Sequence, residues 1–208
     1  MPEPERRVVL IAGPSGAGKS RVSGRLDLPV LPLDDYYKDG DDPTLPRFAS
    51  GTVDWDHPQA WNAEHAGSGI RALCHVGRTD APVYDISGNG RVGHRVIDAS
   101  EAVCFVAEGI FAAELVAWCR AEGVLAAAIC VRRSRWVTFA LRLTRDLREH
   151  RKPPLLLVRR GWWLARREPE IVAALVAKGC TPMTPRETER YVRALQLNPT
   201  PPAPRSPA

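Results

Sequence analysis

Eight consecutive residues, Gly13-Pro14-Ser15-Gly16-Ala17-Gly18-Lys19-Ser20, have the types and spacing to hold a polyphosphate. They match G-x-x-x-x-G-K-[ST] between a β-branched apolar run and a helical pattern, which is the context this motif requires. Glycines let successive backbone N–H groups curl around an anion with no side chain in the way. The N-terminus of the following helix adds partial positive charge. Lys19 has the reach for β- and γ-phosphates, and the Ser20 hydroxyl is suited to magnesium. The expected ligands are ATP and Mg2+.

Two carboxylates and two arginines stand where they can complete phosphate chemistry. Asp34, in Leu33-Asp34-Asp35-Tyr36-Tyr37-Lys38, lies just past a short apolar run. An acid there can accept the proton of an attacking hydroxyl or hold magnesium through water, and it can also simply cap a turn. Glu108 ends the apolar run 102–107. A strand-end acid in that place can complete a magnesium shell, and Gly109 lets backbone approach closely. Arg142 and Arg145 are three residues apart and share a helix face. Such a face can close over phosphates and stabilise spreading charge, or it can be a plain solvated face.

These residues need a scaffold that gathers strand ends. Residues 8–12, 30–33, 102–107 and 125–131 read as short buried strands. Helical patterns cover 19–26, 57–74 with a break at Gly67-Ser68-Gly69, 111–120, 136–150, 170–178 and 185–197. Residues 39–51 read as a loop, and 79–95, with turn signals at Ser87-Gly88-Asn89-Gly90, as a hairpin. Strands alternating with helices predict a P-loop NTPase fold: a three-layer α/β/α sandwich around a mainly parallel sheet. The expected organisation is one domain over 1–197, with a substrate-side hairpin at about 79–97 and an Arg-rich lid helix at about 135–152. A Pro-rich, disordered tail is expected at 198–208. The ends of the first three strands, at Gly13, Asp34 and Glu108, then share the carboxyl edge where open α/β sheets bind ligands.

Composition narrows the function. The 208 residues suffice for one core. No apolar run is long enough to span a bilayer, and residues 1–7 lack the apolar centre of a signal peptide, so a cytoplasmic protein without membrane contact is expected. The five cysteines are odd in number, and none has zinc-knuckle spacing. The net charge of +5 hides an asymmetry: residues 27–56 carry eight acids and two bases, residues 132–167 twelve bases and two acids. Those segments can wall a phosphate-transfer cleft or be two solvated faces. A basic face can also bind nucleic acid, but no single-strand or helix-turn-helix motif supports that here.

With these residues assembled, the chain resembles the uridine kinase (uridine–cytidine kinase) family over about residues 8–152. The resemblance rests on the loop 13–20, Leu33-Asp34-Asp35-Tyr36-Tyr37-Lys38, Trp55-Asp56-His57-Pro58-Gln59-Ala60-Trp61, Pro82-Val83-Tyr84-Asp85 and Glu108-Gly109-Ile110, in that order. It implies that Asp34 is a general base toward a nucleoside 5′-hydroxyl. It implies that Asp56 and Arg142 hold the ribose, with Tyr37 and Tyr84 beside the base. Arg145 looks like a lid arginine, and Ser20 and Glu108 look like magnesium positions. The chain departs from the family at Asn89, where a histidine that hydrogen-bonds the pyrimidine is usual; asparagine can also donate and accept, so the resemblance implies that Asn89 contacts the substrate. It departs again at Arg132-Arg133-Ser134-Arg135-Trp136, where the family is acidic, and at His150, where a lid arginine is usual. From Pro153 onward the resemblance ends.

The expected activity is therefore transfer of the ATP γ-phosphate to a small-molecule hydroxyl, with uridine or cytidine first. Kinases for pantothenate, ribulose phosphate or a sugar, and a non-catalytic ATP-binding regulator, are the rival readings. Homo-oligomers are common in the family, although no interface is legible in the sequence.

Overall fold

The computed structural model describes residues 4–133 and 169–197. Arg142, Arg145, His150, the expected lid helix and the Pro-rich tail lie outside the described residues.

The central strand is β1 (Arg7–Ala12). Its alternation sends Val8, Leu10 and Ala12 into one apolar cluster and Val9 and Ile11 into another. A strand buried on both faces needs layers on both sides. β2 (Val30–Pro32) and β5 (Cys104–Glu108) lie to one side of β1, and β6 (Leu125–Val131) to the other. With β7 (Thr181–Met183) beyond β6, the described sheet has the order β2-β5-β1-β6-β7, and every pairing in it is parallel. β7 is a strand that the sequence reading missed. It is three residues long and contains Pro182, which a strand tolerates at the edge of a sheet.

One face of the sheet is covered by α2 (Ala63–His75), through Ala66, Ile70 and Leu73, and by α3 (Val116–Ala121), through Val116 and Cys119. Leu175 of α4, described over 169–177, joins them. The other face is covered by Val22 of α1 (Lys19–Ser23), by Leu26, and by Val192 and Leu195 of α5 (Pro185–Leu197). The result is the expected three-layer α/β/α arrangement. All five cysteines are buried and free.

Three helical expectations need correction. The segment 57–74 is not one helix broken at 67–69. It is a 3-10 turn at Pro58–Ala60, then α2, which runs unbroken through both glycines. α2 starts at Asn62, whose side-chain oxygen accepts from the His65 N–H at 3.0 Å. The glycines serve packing instead: Gly67 faces the Trp118 ring, and a Cβ at Gly69 would stand 2.6 Å from the Tyr36 hydroxyl oxygen. The second is 111–120, which divides into a 3-10 turn at Ala112–Leu115 and then α3. In the third, α1 ends at Ser23, before the expected Leu26, with Gly24 as its cap.

β3 (Arg78–Asp85) and β4 (Gly90–Asp98) form a separate antiparallel hairpin. The Asp85 carboxylate accepts from the backbone N–H groups of Ser87 and Gly88 and so shapes the turn. Asn89 sits at φ 51°, a left-handed conformation that asparagine tolerates well. Two ion pairs clamp the hairpin to the segment after β2: Arg95 with Asp35, and Arg91 with Asp39 at 2.7 Å.

Candidate functional site

The loop 13–20 leaves the carboxyl end of β1. Gly13 has φ 147°, and a Cβ on it would stand 2.5 Å from the Val131 carbonyl oxygen at the end of β6. Only glycine lets the chain turn there against the neighbouring strand. Lys19 is 8 % exposed, and its Nζ donates to the Gly13 carbonyl at 2.9 Å, so the side chain arches back over the loop.

Glu108 is the last residue of β5, which lies beside β1. The Ser20 hydroxyl faces its carboxylate. Burial pushes the Glu108 pKa above the usual carboxylate range; the Ser20 hydroxyl and the Lys19 charge oppose that rise, and Asp34 adds to it. Asp34 is on the 3-10 turn Leu33–Tyr36 that follows β2. Its Oδ1 accepts from the Ile110 N–H at 2.9 Å. Burial raises the Asp34 pKa as well; the Ile110 bond and Lys19 act against it, and Asp35 reinforces it. Three adjacent strand ends thus bring Lys19, Ser20, Asp34 and Glu108 into one electrostatic group.

Gly109 makes this approach physically possible. A Cβ there would lie 2.7 Å from Asp34 Oδ1 and 2.9 Å from Leu33 Cβ. Gly109→Ala is therefore expected to destabilise the fold by roughly 1–3 kcal/mol and to displace Asp34. Thermal unfolding alongside steady-state kinetics would check both effects.

Beside Asp34 lies a cluster of rings. Tyr37 is 5.8 Å, centroid to centroid, from each of Trp55, Tyr84 and Phe111, and Phe111 is 5.7 Å from Trp61. The Trp61 Nε1 donates to the Leu33 carbonyl at 2.6 Å, which fixes the residue before Asp34. The Tyr37 hydroxyl donates to the Trp55 carbonyl at 3.2 Å, and the Tyr84 hydroxyl to that of Lys38 at 3.1 Å. Burial, then the charges of Asp34 and Asp56, push the Tyr37 pKa up, so Asp56 also faces this group. Asp56 itself is exposed and is held in a turn by its N–H on the Asp54 carboxylate at 3.2 Å.

Of the residues singled out in the sequence, Asp34, Glu108, Lys19, Ser20, Tyr37, Tyr84 and Asp56 share this neighbourhood. Asn89 is placed at the exposed hairpin turn, where its carbonyl accepts from the Gly40 N–H at 2.7 Å. The turn conformation by itself accounts for an asparagine there. Sequence reading passed over Phe111 and the Asp35–Arg95 and Asp39–Arg91 clamp. The matched spacing of Asp35/Asp39 and Arg91/Arg95 was the available signal for the clamp, but it has meaning only once the hairpin is laid on the 34–39 segment.

The donor set fits magnesium: a hydroxyl and a carboxylate are hard oxygen ligands. Among the described residues no group of three His, Cys, Asp or Glu forms a cage for a metal. Among the described residues no helix is long and apolar enough to cross a membrane.

A parallel α/β sheet with a glycine-rich lysine loop at its carboxyl edge defines the P-loop NTPase fold. A solved structure described as a fructose transport system kinase, from Silicibacter sp. TM1040, shares that fold; its TM-score is 0.61, its identity 20 %, and the match covers 83 % of this chain and 87 % of that one. In sequence the chain is similar to uridine kinases. That of Halobacterium salinarum (strain ATCC 700922 / JCM 11081 / NRC-1) is 33 % identical over 108 residues, 49 % of this chain and 47 % of the relative. That of Chlamydia pneumoniae is 29 % identical over 113 residues, 51 % of this chain and 50 % of the relative. The match thus spans about half the length of these curated relatives. No protein-family model matches the chain.

Proposed function

We propose that this chain is an ATP-dependent kinase that phosphorylates a small-molecule hydroxyl, with the 5′-hydroxyl of uridine or cytidine as its first acceptor. The observation that carries the reading is the convergence of Lys19, Ser20, Glu108 and Asp34 from three neighbouring strand ends. The resemblance to uridine kinases supports the choice of acceptor.

In this reading the loop amides and Lys19 bind the β- and γ-phosphates. Ser20 and Glu108 hold magnesium, which supplies neutralisation of phosphate charge when bound. Asp34 accepts the proton of the acceptor hydroxyl, and its Ile110 hydrogen bond orients the carboxylate for that transfer. Tyr37 and Tyr84 flank the base of the acceptor, and Asp56 meets its sugar. Arg142 and Arg145, outside the described residues, are assigned to the ribose and the phosphates by the resemblance alone.

A second reading keeps the kinase and changes the acceptor to a sugar, pantothenate or a sugar phosphate. The placement of Asn89 favours it, because its turn conformation gives that residue a structural reason unrelated to a pyrimidine.

ADP release from Mg-ATP, with and without uridine and cytidine, tests the first reading. Strong stimulation by either nucleoside is the expected result. No stimulation by nucleosides, with a response to another hydroxyl compound, supports the second. Binding of ATP without turnover on any acceptor would leave only a non-catalytic role.

A further inference from the structure

The carboxyl edge is electrically divided about the loop 13–20. The sheet order puts β5 and β2, with Glu108 and Asp34, on one side of β1, and puts β6, followed by Arg132 and Arg133, on the other. The Arg132 N–H donates to the Met183 carbonyl at 2.9 Å, so the backbone is pinned to β7 where it leaves β6. From that anchored position Arg133, half-buried, reaches the loop. Its Nε donates to the Ala17 carbonyl at 3.1 Å. Its Nη2 and Nε lie 3.5 and 3.6 Å from where a Cβ on Gly18 would stand. The guanidinium therefore lies beside the Ala17–Gly18 peptide.

We propose that Arg133 is a nucleotide-binding residue, holding the α- and β-phosphates of the nucleoside triphosphate from the β6 side of the loop. The proposal rests on the reading of residues 13–20 as a phosphate loop. A guanidinium presents five N–H donors in a planar fork, and the Ala17 bond uses Nε. The rest of the fork and the full positive charge remain beside the loop that carries the polyphosphate. The γ-phosphate, by contrast, belongs on the side of Asp34 and Glu108, where an acceptor hydroxyl meets its base. Arg133 thus anchors the part of the nucleotide that does not move to the acceptor. ATP and ADP should depend on it alike.

The experiment measures binding of Mg-ATP and Mg-ADP to the full chain and to Arg133→Gln, Arg133→Lys and Lys19→Ala, each with its thermal unfolding curve. Arg133→Gln is expected to weaken both nucleotides about tenfold, the size of one charge-assisted contact, and to raise KM for ATP more than it lowers kcat. Arg133→Lys, which keeps the charge and loses the fork, is expected to regain only part of the affinity. Wild-type affinity in Arg133→Gln would overturn the proposal. So would a loss confined to Mg-ATP, because Arg133 would then not hold the phosphates that ATP and ADP share. Undiminished binding by Lys19→Ala would remove the phosphate-loop reading itself, whatever the Arg133 variants show, and the proposal would fall with it.

Discussion

Lys19→Ala is expected to lower nucleoside-stimulated ADP release by roughly 10²–10³-fold or more, the scale lost when one preorganised charge donor is removed from a transferring group. The side chain is almost completely buried, yet it belongs to the same electrostatic group as Asp34 and Glu108, whose charges it opposes. Its Nζ rests on the Gly13 carbonyl, on the inner side of the loop, so it can exchange that contact for a phosphate oxygen without a large backbone change. Alanine leaves the loop glycines and their amides in place, so the loss should appear in nucleotide affinity and still more in turnover. Titration with Mg-ATP and a steady-state assay on the same sample separate the two. A variant that turned over at the wild-type rate would show that the loop 13–20 does not handle the transferred phosphate.

Asp34→Asn should cost about 10²–10⁴-fold in kcat, the range of a positioned general base, while ATP affinity changes little. Asparagine is nearly isosteric and its Oδ1 can still accept from the Ile110 N–H, so geometry is preserved while the proton acceptor is lost. Full kcat in this variant would remove the base assignment.

The same substitution has a consequence for stability. Burial raises the pKa of Asp34, so the folded chain binds its proton more tightly than the unfolded chain does. A group of this kind lowers stability as pH rises from its ordinary value, 3.8, through the raised folded value. Glu108 acts in the same direction from 4.5 upward. The ligand-free chain should therefore lose stability across that window, and Asp34→Asn should flatten the loss. At neutral pH the variant should melt higher than the wild type, by roughly 2–4 °C per kcal/mol recovered in a chain of this size. A rise in Tm with a fall in kcat is the signature of a site held at a cost to stability. A lower Tm across the whole pH range would mean that the Asp34 charge stabilises the fold.

Much of the scaffold was legible because its signals are local. β6 matches its predicted span residue for residue, and α5 likewise. β1 differs by a single residue, since a buried parallel strand is a short β-branched run closed by glycine. The misreadings came where tertiary packing overrides local preference. Gly67 and Gly69 look like helix breakers, yet they sit inside α2: the Tyr36 hydroxyl occupies the space a Gly69 side chain would fill, and Gly67 packs against the Trp118 ring. β7 could not be read from three residues containing a proline, because it exists only by pairing with β6.

The chemistry of the loop was determined by the sequence alone. Eight residues in a fixed order have the types and spacing of an anion cradle with a lysine and a hydroxyl. The sequence also supplied Asp34 and Glu108 as candidates, but only as acids after apolar runs. That they form one group with Lys19 was decided by the parallel order β2-β5-β1, which lines up strand ends as far apart in the chain as Ala12 and Glu108. The division of the edge, with acids on the β5 side and Arg133 on the β6 side, was decided in the same way. Sheet order sets which strand ends are neighbours. It depends on how all the layers pack at once, and no local stretch of sequence encodes it.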